Sequence, residues 1–208
     1  MARFIALTLI ALPFLAACET PEKTTLNRAD FRAAEADDAF ARTLDFTPEE
    51  NVPAGVATYN GHVQSEAIVN GVPNFKVLGD LAMTVDIAAT GTRAGSGDVG
   101  GTITNLNLFD DANDGFDDQG LDGDLTIVGT TEAGRIDATA TGVIRAIVTD
   151  TPTQQTATWE LGLDGDFRDN FESGDVVAGG VTGGTVGGTS DDYSLRLTGS
   201  GRFYGERE

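Results

Sequence analysis

Residues 81–87 read LAMTVDI and residues 159–167 read WELGLDGDF, and these two stretches decide the fold. In the first, Leu81, Met83 and Val85 occupy every second position, with small or polar residues between them. In the second, a tryptophan, leucines and a phenylalanine alternate with acidic residues and glycine. Successive side chains of a strand point to opposite faces, so this period of two predicts half-buried antiparallel strands.

The same alternation recurs through the part of the chain that is rich in Gly, Thr and Val. It predicts eight strands, at residues 55–69, 78–89, 98–109, 121–131, 135–148, 155–168, 176–187 and 192–205. Turn residues lie between several of them, at Asn70-Gly71, Glu132-Ala133-Gly134 and Ser190-Asp191-Asp192. Eight strands close a small barrel. We therefore predict an all-β domain over residues 55–208 that forms an eight-stranded antiparallel up-and-down barrel, with a β-sandwich as the alternative.

The first 17 residues have the layout of an export signal. Arg3 provides a positive charge, residues 4–14 are mostly apolar, and Leu15-Ala16-Ala17-Cys18 ends the segment. Small residues before a cleavage point suit a signal peptidase, and Leu-Ala-Ala-Cys resembles the lipobox of bacterial lipoproteins. We therefore predict a lipoprotein signal peptide over residues 1–17 and lipidation of Cys18.

Cys18 is the only cysteine in the chain, so it has no partner for an internal disulfide. Attached acyl chains, palmitate among them, hold a protein stably on a bilayer when two or more are present. Glu19 follows the cysteine, and not the aspartate that retains lipoproteins at the inner membrane of enteric bacteria. The sequence thus predicts lipid anchoring at the outer membrane, on either its surface or its periplasmic side.

Residues 18–54 differ in composition from the rest of the chain, because they combine charged residues and alanines with three prolines. We predict that they form the lipidated N-terminus and a tether. Within the tether, residues 27–44 are predicted to form a short helix with Asn27 as its N-cap. The expected apolar contacts of this helix are Phe31, Phe40 and Leu44.

Charge and motifs restrict the chemistry of the chain. It carries 33 acidic and 13 basic residues, a formal charge of −20, which repels nucleic acid. His62 is the only histidine, and we expect it to be an exposed residue of the first strand. No Gly-x-Ser-x-Gly elbow and no Gly-rich nucleotide-binding fingerprint occurs. The sequence therefore predicts a protein that is not an enzyme and that has no nucleic-acid partner.

Residues 110–124 combine a high density of aspartates with interleaved glycines. Flexible, oxygen-rich loops bind Ca²⁺, and the candidate ligands here are Asp110, Asp114, Asp118 and Asp122. Their spacing does not follow the EF-hand loop. The alternative to a Ca²⁺ site is a solvated acidic hairpin loop, and no other cofactor is predicted.

Short motifs near both ends of the barrel segment suggest a family. Residues 57–61 read ATYNG and residues 199–206 read GSGRFYGE. Together with the lipobox, they resemble the barrel domain of transferrin-binding protein B and related surface lipoproteins. The resemblance implies one barrel on a lipid tether at the outer membrane, where such proteins bind host or environmental proteins and often assist iron uptake. The chain has length for one barrel and not for the handle domain of the transferrin receptors, so no ligand-contact residue is carried over.

These observations lead to three hypotheses of function. The main one is a lipid-anchored, non-catalytic binding or interaction module with a protein partner, for which the resemblance implies a setting in nutrient or iron acquisition. The alternative is a periplasmic small-ligand carrier of the lipocalin type, which requires an open barrel interior. The third is an envelope enzyme built on His62.

Overall fold

In a computed structural model of the chain, the described residues are 24–48, 51–52, 54–88, 96–110, 118–147, 154–170, 175–188, 194–198 and 201–208. Within these ranges the chain forms one helix and ten strands. Their bounds are α1 Arg28–Ala41, β1 Gly55–Val69, β2 Val72–Ile87, β3 Gly97–Asp110, β4 Gln119–Gly120, β5 Leu125–Glu132, β6 Arg135–Ile147, β7 Gln154–Arg168, β8 Val176–Gly188, β9 Leu195–Leu197 and β10 Gly201–Arg207.

The strands form one antiparallel sheet that closes on itself. The long strands from β1 to β8 follow one another as neighbours, and β10 pairs with both β8 and β1. The short strand β4 pairs with β3, and β9 pairs with β1 and β8. The fold is therefore a closed eight-stranded antiparallel barrel, which confirms the prediction. Among the described residues, no helix has the length and apolarity that a bilayer crossing requires.

The first hairpin follows directly from local sequence. β1 has the predicted bounds, and Asn70 and Gly71 follow it with φ angles of 49° and 81°. Two successive positive φ angles match the twist of the flanking strands in a two-residue turn. Asparagine and glycine adopt them at the least steric cost, so the turn was predictable from the two residues alone.

Three predicted strands differ from the structure by more than one residue at an end. β2 begins at Val72, because the tight turn pairs it with β1 almost from its first residue. The predicted strand 121–131 begins only at Leu125, as β5, and the predicted strand 192–205 is divided into β9 and β10. The short β4 lies before the predicted start at residue 121 and pairs with β3, whereas Asp122 forms a bridge to Arg145 before β5 begins. The chain changes its partner strand there, and alternation along a single segment does not reveal such a change.

Apolar side chains fill the interior of the barrel. Every second residue of the long strands points inward, and these residues form one continuous buried cluster. Its largest fully buried members include Trp159, Tyr59, Phe167, Phe203 and Met83. The rings of Tyr59 and Phe167 meet edge to face with their centroids 5.8 Å apart. Because the hydrophobic effect favours this burial, the interior is the main source of stability in the fold.

The Phe203 ring lies against two glycines on neighbouring strands. Phe203 on β10 pairs with Gly179 on β8, which in turn pairs with Gly165 on β7. A Cβ atom added to Gly179 would lie 2.6 Å from the Phe203 ring, and one added to Gly165 would also collide with that ring. Glycine is therefore required at both positions, because a side chain there would occupy the volume of the phenylalanine.

The helix begins as predicted, but it ends at Ala41 and not at Leu44, and one of its expected contacts is wrong. α1 has Asn27 as its N-cap and packs Phe31, which is 5% exposed, against the outside of the barrel. Phe40 is 45% exposed. The buried stripe runs through positions 31, 34, 38 and 41, so that Phe40 falls outside it. Leu44, past the end of the helix, packs partly buried at the edge of the contact as expected.

Candidate functional site

The helix is capped at its start, and the segment after its end pairs with a strand of the barrel. The Asn27 side chain accepts hydrogen bonds from the backbone N–H groups of Ala29, at 2.7 Å, and Asp30. The Asp30 carboxylate in turn accepts from the Asn27 N–H at 2.7 Å, which completes a capping box. After the helix, Phe46 forms a β-bridge to Arg168 at the end of β7. The capping box therefore satisfies backbone N–H groups at the start of α1, and the bridge ties the segment after its end to the barrel.

Apolar contacts at two places hold the helix on the outer face of the sheet. Near its start, Phe31 packs with Leu78 of β2 and Phe109 of β3. Near its end, Ala41 packs with side chains from two other strands, namely Val176, Ala178 and Tyr204. The helix thus crosses the outside of the barrel from the β2–β3 pair to the β8–β10 pair. Between these two places it covers outward-facing side chains of β1.

A polar centre lies under the middle of the helix. Asp38 is 3% exposed and accepts a hydrogen bond from the amide of Gln64 on β1. His62, two residues earlier on β1, places Nε2 3.7 Å from the Asp38 carboxylate and Nδ1 3.9 Å from that of Asp37. A buried carboxylate is costly unless it is paired, so these partners make the burial of Asp38 tolerable. We call this group the α1 seam.

Tyr204 of β10 forms the other wall of the α1 seam. Its ring stacks on the His62 ring with centroids 5.7 Å apart and planes at 27°, and its hydroxyl donates to the Glu206 carboxylate at 2.7 Å. Burial raises the pKa of Tyr204, and the hydrogen bond to Glu206 raises it further. Burial likewise raises the pKa of Asp37, while His62 opposes that shift. The seam is a partly dehydrated cluster of titratable groups.

The structure corrects the expected environment of His62. Its side chain is 12% exposed because α1 covers it, whereas the sequence predicted an exposed strand residue. The seam therefore joins the helix to the barrel through polar contacts.

An open groove of about 340 Å³ lies beside the last turn of α1. Its floor includes Gly180 of β8, and the outer faces of β6, β7, β8 and β10 contribute its walls. Four arginines line it, namely Arg42, Arg135, Arg168 and Arg202. We call it the arginine groove. Its lining has more basic than acidic residues, whereas the chain as a whole is strongly acidic.

A wider cleft of about 620 Å³ has the opposite character. Its lining includes Asp86, Asp98 and Glu132 together with threonines. Asp86 and Asp98 stand directly opposite each other on β2 and β3. Like charges in such a cross-strand pair repel each other, so this cleft disfavours an anionic ligand.

The predicted calcium site is only partly within the described residues. Asp114 lies outside them. The Asp118 carboxylate accepts a hydrogen bond from the backbone N–H of Asp110 at 2.8 Å and pairs with Arg28 at 3.3 Å. Arg28 belongs to α1, so Asp118 helps to fix the start of the helix on the barrel. An arginine at this carboxylate competes with a cation for the same oxygens.

Asp122, the fourth predicted ligand, pairs with Arg145 of β6 at 2.9 Å, and their backbones also form a bridge. Across the residues that the structure describes, no group of three or more His, Cys, Asp or Glu side chains is placed to hold a metal ion. Calcium binding by the loop stays a prediction, as does lipidation of Cys18, which lies outside the described residues.

Sequence reasoning missed both the α1 seam and the arginine groove. One signal for the seam was available, because Asp38 occupies the same helical stripe as Phe31, Ala34 and Ala41. A carboxylate on an apolar stripe predicts a buried polar partner on the facing surface. The groove had no comparable signal, because its arginines are spread over 160 residues of sequence from Arg42 to Arg202.

The chain was also compared with known proteins. No family model, no curated protein and no solved structure matches it. The resemblance to the barrel of transferrin-binding protein B therefore rests on the short motifs alone. The function has to be argued from the geometry of the barrel, the α1 seam and the arginine groove.

Proposed function

We propose that the chain is a lipid-anchored outer-membrane lipoprotein whose barrel acts as a non-catalytic binding or interaction module. The single observation that carries this proposal is the distribution of polar groups. Apolar side chains fill the interior, whereas the arginine groove and the α1 seam lie on the outside, where the helix crosses the strands. Binding on this outer surface fits the structure better than transport through the barrel.

The position of α1 fits a short connection to a membrane. The helix begins at Arg28, ten residues after Cys18. Even a fully extended chain of that length spans at most about 35 Å. Because α1 is packed on the barrel at both of its ends, a lipid on Cys18 would hold the start of α1, and the barrel face beside it, within that distance of the bilayer. Any partner would then meet the barrel close to the membrane surface.

The chemistry of the site supports a binding role without catalysis. Asp38 accepts a hydrogen bond from Gln64, and the His62 ring lies 3.7 Å from the Asp38 carboxylate and 3.9 Å from that of Asp37. The resemblance to the barrel of transferrin-binding protein B supports a protein partner and a setting in nutrient or iron acquisition. Both remain parts of the proposal.

A second candidate function, the small-ligand carrier, is favoured by one observation. The hydroxyl of Tyr59 and the indole N–H of Trp159 are buried in the barrel and have no hydrogen-bond partner within the described part of the chain. Burial also raises the pKa of Tyr59 to about 12, with Arg207 opposing the shift. Buried polar groups are normally satisfied, and the polar end of a small ligand would satisfy these two, although the filled interior would have to open to admit it.

The two candidates are distinguishable by fluorescence. Trp159 is the only tryptophan and lies in the interior, so its emission reports directly on that space. Apolar probes such as N-phenylnaphthylamine should leave the emission unchanged if the barrel is a binding module that uses its outer face. A saturable change in Trp159 emission with such a probe would instead support the carrier.

The experiment that tests the main proposal is protease shaving of intact cells that produce the tagged protein, combined with labelling by an alkyne analogue of palmitate. We expect incorporation of the label into the wild-type chain and its loss in Cys18→Ala, with release of that variant from the membrane fraction. Degradation in intact cells would place the barrel on the surface, and protection until permeabilisation would place it in the periplasm. Equal membrane association of both chains without label would contradict lipid anchoring.

A further inference from the structure

We infer that the arginine groove is a binding site for a small organic oxyanion, that is, a molecule bearing a carboxylate or a phosphate group. The inference rests on the proposed binding role and names the chemistry of a ligand for it. It does not depend on lipidation of Cys18, because all of the residues concerned belong to α1 and the barrel.

Positive charge is concentrated in this groove. The whole chain has 13 lysines and arginines and a net charge of −20, yet four of the arginines line this one groove. A strongly acidic protein repels anions in general, so an anion binds only where cations are gathered. Three acidic residues also line the groove. Asp38 accepts a hydrogen bond from Gln64 within the α1 seam, and the other two are Asp164 and Asp166.

Two guanidinium groups of the groove are available to a ligand. Arg135 pairs with Asp164 at 3.3 Å and Asp166 at 3.9 Å, which occupies those carboxylates. Within the described ranges, neither Arg42 nor Arg202 has an ion-pair partner, and Arg202 donates from Nη1 only to the carbonyl of the adjacent residue, at 2.8 Å. A guanidinium has five N–H donors in a planar fork, which matches the two oxygens of a carboxylate or phosphate.

The floor of the groove has open space above it. Gly180 lies between Asp164 and Arg202 in the cross-strand register. A Cβ atom added to it would meet only the Asp164 carbonyl oxygen, at 3.9 Å, whereas one added to the neighbouring Gly179 would collide with the interior. Gly180 thus leaves room beside the Arg202 side chain. At about 340 Å³ the groove is at the lower end of the range for small-molecule sites.

Arg168 contributes a fixed cation at the end of the groove that is nearest to the helix terminus. Its Nη1 donates to the carbonyl of Leu44 at 3.2 Å, and its guanidinium lies 4.1 Å from the centroid of the Phe46 ring. Its Nε atom is buried and has no hydrogen-bond partner among the described residues. A preorganised cation loses little entropy on binding, which strengthens the site.

The test uses the protein purified in detergent, titrated by calorimetry with inorganic phosphate or with citrate at constant ionic strength. We expect saturable binding of at least one probe. Replacing Arg42 and Arg202 together by glutamine should weaken it about tenfold or more, because each removes a charge-assisted hydrogen bond. Gly180→Val should also weaken it by filling the floor, whereas Arg196→Gln on β9, outside the groove, should leave it unchanged. Thermal unfolding of each variant confirms that it is folded.

The probe that binds identifies the chemistry of the ligand: citrate alone indicates a carboxylate, and phosphate alone indicates a phosphoryl group. Two results would overturn the inference. One is the absence of saturable binding of either probe, and the other is binding that is equal in the wild type and in the double arginine variant. If binding is absent but the palmitate label and Cys18-dependent anchoring are present, the oxyanion site fails while the lipoprotein assignment in the proposed function stands.

Discussion

The interior of the barrel and the α1 seam are both buried, but they are built in different ways. The interior consists of apolar side chains that recur at every second position of the strands. The seam consists of single polar residues that meet across long distances in sequence, as Asp38 and Gln64 do. The interior is stabilised by the area that it removes from water, whereas the seam depends on individual partners. The two regions should therefore respond differently to mutation.

The largest effect is expected in the interior. Phe203→Ala removes a fully buried ring that fits against Gly165 and Gly179, and neighbouring glycines have no side chains that could fill the space. We expect the free energy of unfolding to fall by about 3–5 kcal/mol, measured by urea denaturation. Val128→Ala, at a position that is 69% exposed on the outer face, is the matched control and should cost less than about 0.5 kcal/mol. Similar losses in both variants would mean that the interior is not tightly packed.

The next effect is on the apolar part of the helix contact. Phe31→Ala should destabilise the protein by about 2–4 kcal/mol, because Phe31 packs with Leu78 and Phe109 and also lies under the Lys76 ammonium group. Phe40→Ala, on the same helix at 45% exposure, should cost less than about 1 kcal/mol.

Urea denaturation of the two variants checks this order. Limited proteolysis adds a local readout, because loss of the Phe31 contact should expose the start of α1 to cleavage. If Phe40→Ala were the more damaging of the two substitutions, the helix would pack on the barrel through a different face.

The third-largest effect on the free energy of unfolding is expected for the α1 seam. Asp38→Ala leaves the Gln64 amide buried without its acceptor and removes the carboxylate that faces His62. We expect a loss of about 1–3 kcal/mol in the free energy of unfolding. Asp38→Asn keeps one oxygen acceptor and should lose less. Glu35→Ala, an exposed acidic position on the same helix, should change stability by only a few tenths of a kcal/mol.

Equal stability of Asp38→Ala and the wild type would show that the seam does not hold the helix. A double-mutant cycle with Gln64→Ala then measures the coupling directly. The interaction energy should be clearly above zero for the pair Asp38 and Gln64 and near zero for the pair Glu35 and Gln64.

The same contrast explains what was predictable from sequence. The bounds of β1 and its turn at Asn70-Gly71 followed from alternation and turn chemistry, because both are properties of neighbouring residues. The cap at Asn27 was predictable for the same reason. The glycines at 165 and 179 are explained by contacts with other strands, namely the Phe203 ring and the backbone carbonyls of Asp164 and Ala178. Their positions are evident in the sequence, but the contacts that require glycine there are not.

The aspartates of the predicted calcium loop show what a local sequence pattern does not predict. Their density suggested a cation site, but density does not reveal the partner of each carboxylate. Asp118 pairs with Arg28 across 90 residues of sequence, and Asp122 pairs with Arg145 across 23. The arginine groove was hidden for the same reason, because strand register and the placement of α1 bring its residues together. Contacts of this kind are set by tertiary structure and not by local pattern.

The smallest effect concerns the pH dependence of the seam. Burial raises the pKa of Asp37 above its unfolded value of 3.8, although His62 opposes the shift. For a carboxyl group with a raised pKa, the folded state binds the proton more tightly. Its contribution to stability is therefore full below the unfolded pKa and is lost as the pH rises through the folded pKa. At neutral pH, ionised Asp37 is slightly unfavourable.

Asp37→Asn should consequently raise the free energy of unfolding at pH 7, and the difference from the wild type should vanish near pH 3. The gain should stay below about 0.5 kcal/mol, because the Asp37 side chain is 52% exposed and solvent screens its charge. Thermal unfolding of both chains between pH 3 and pH 8 measures it. A loss of stability in Asp37→Asn at pH 7 would mean that attraction to His62 outweighs burial, and the α1 seam would then be held together by charge.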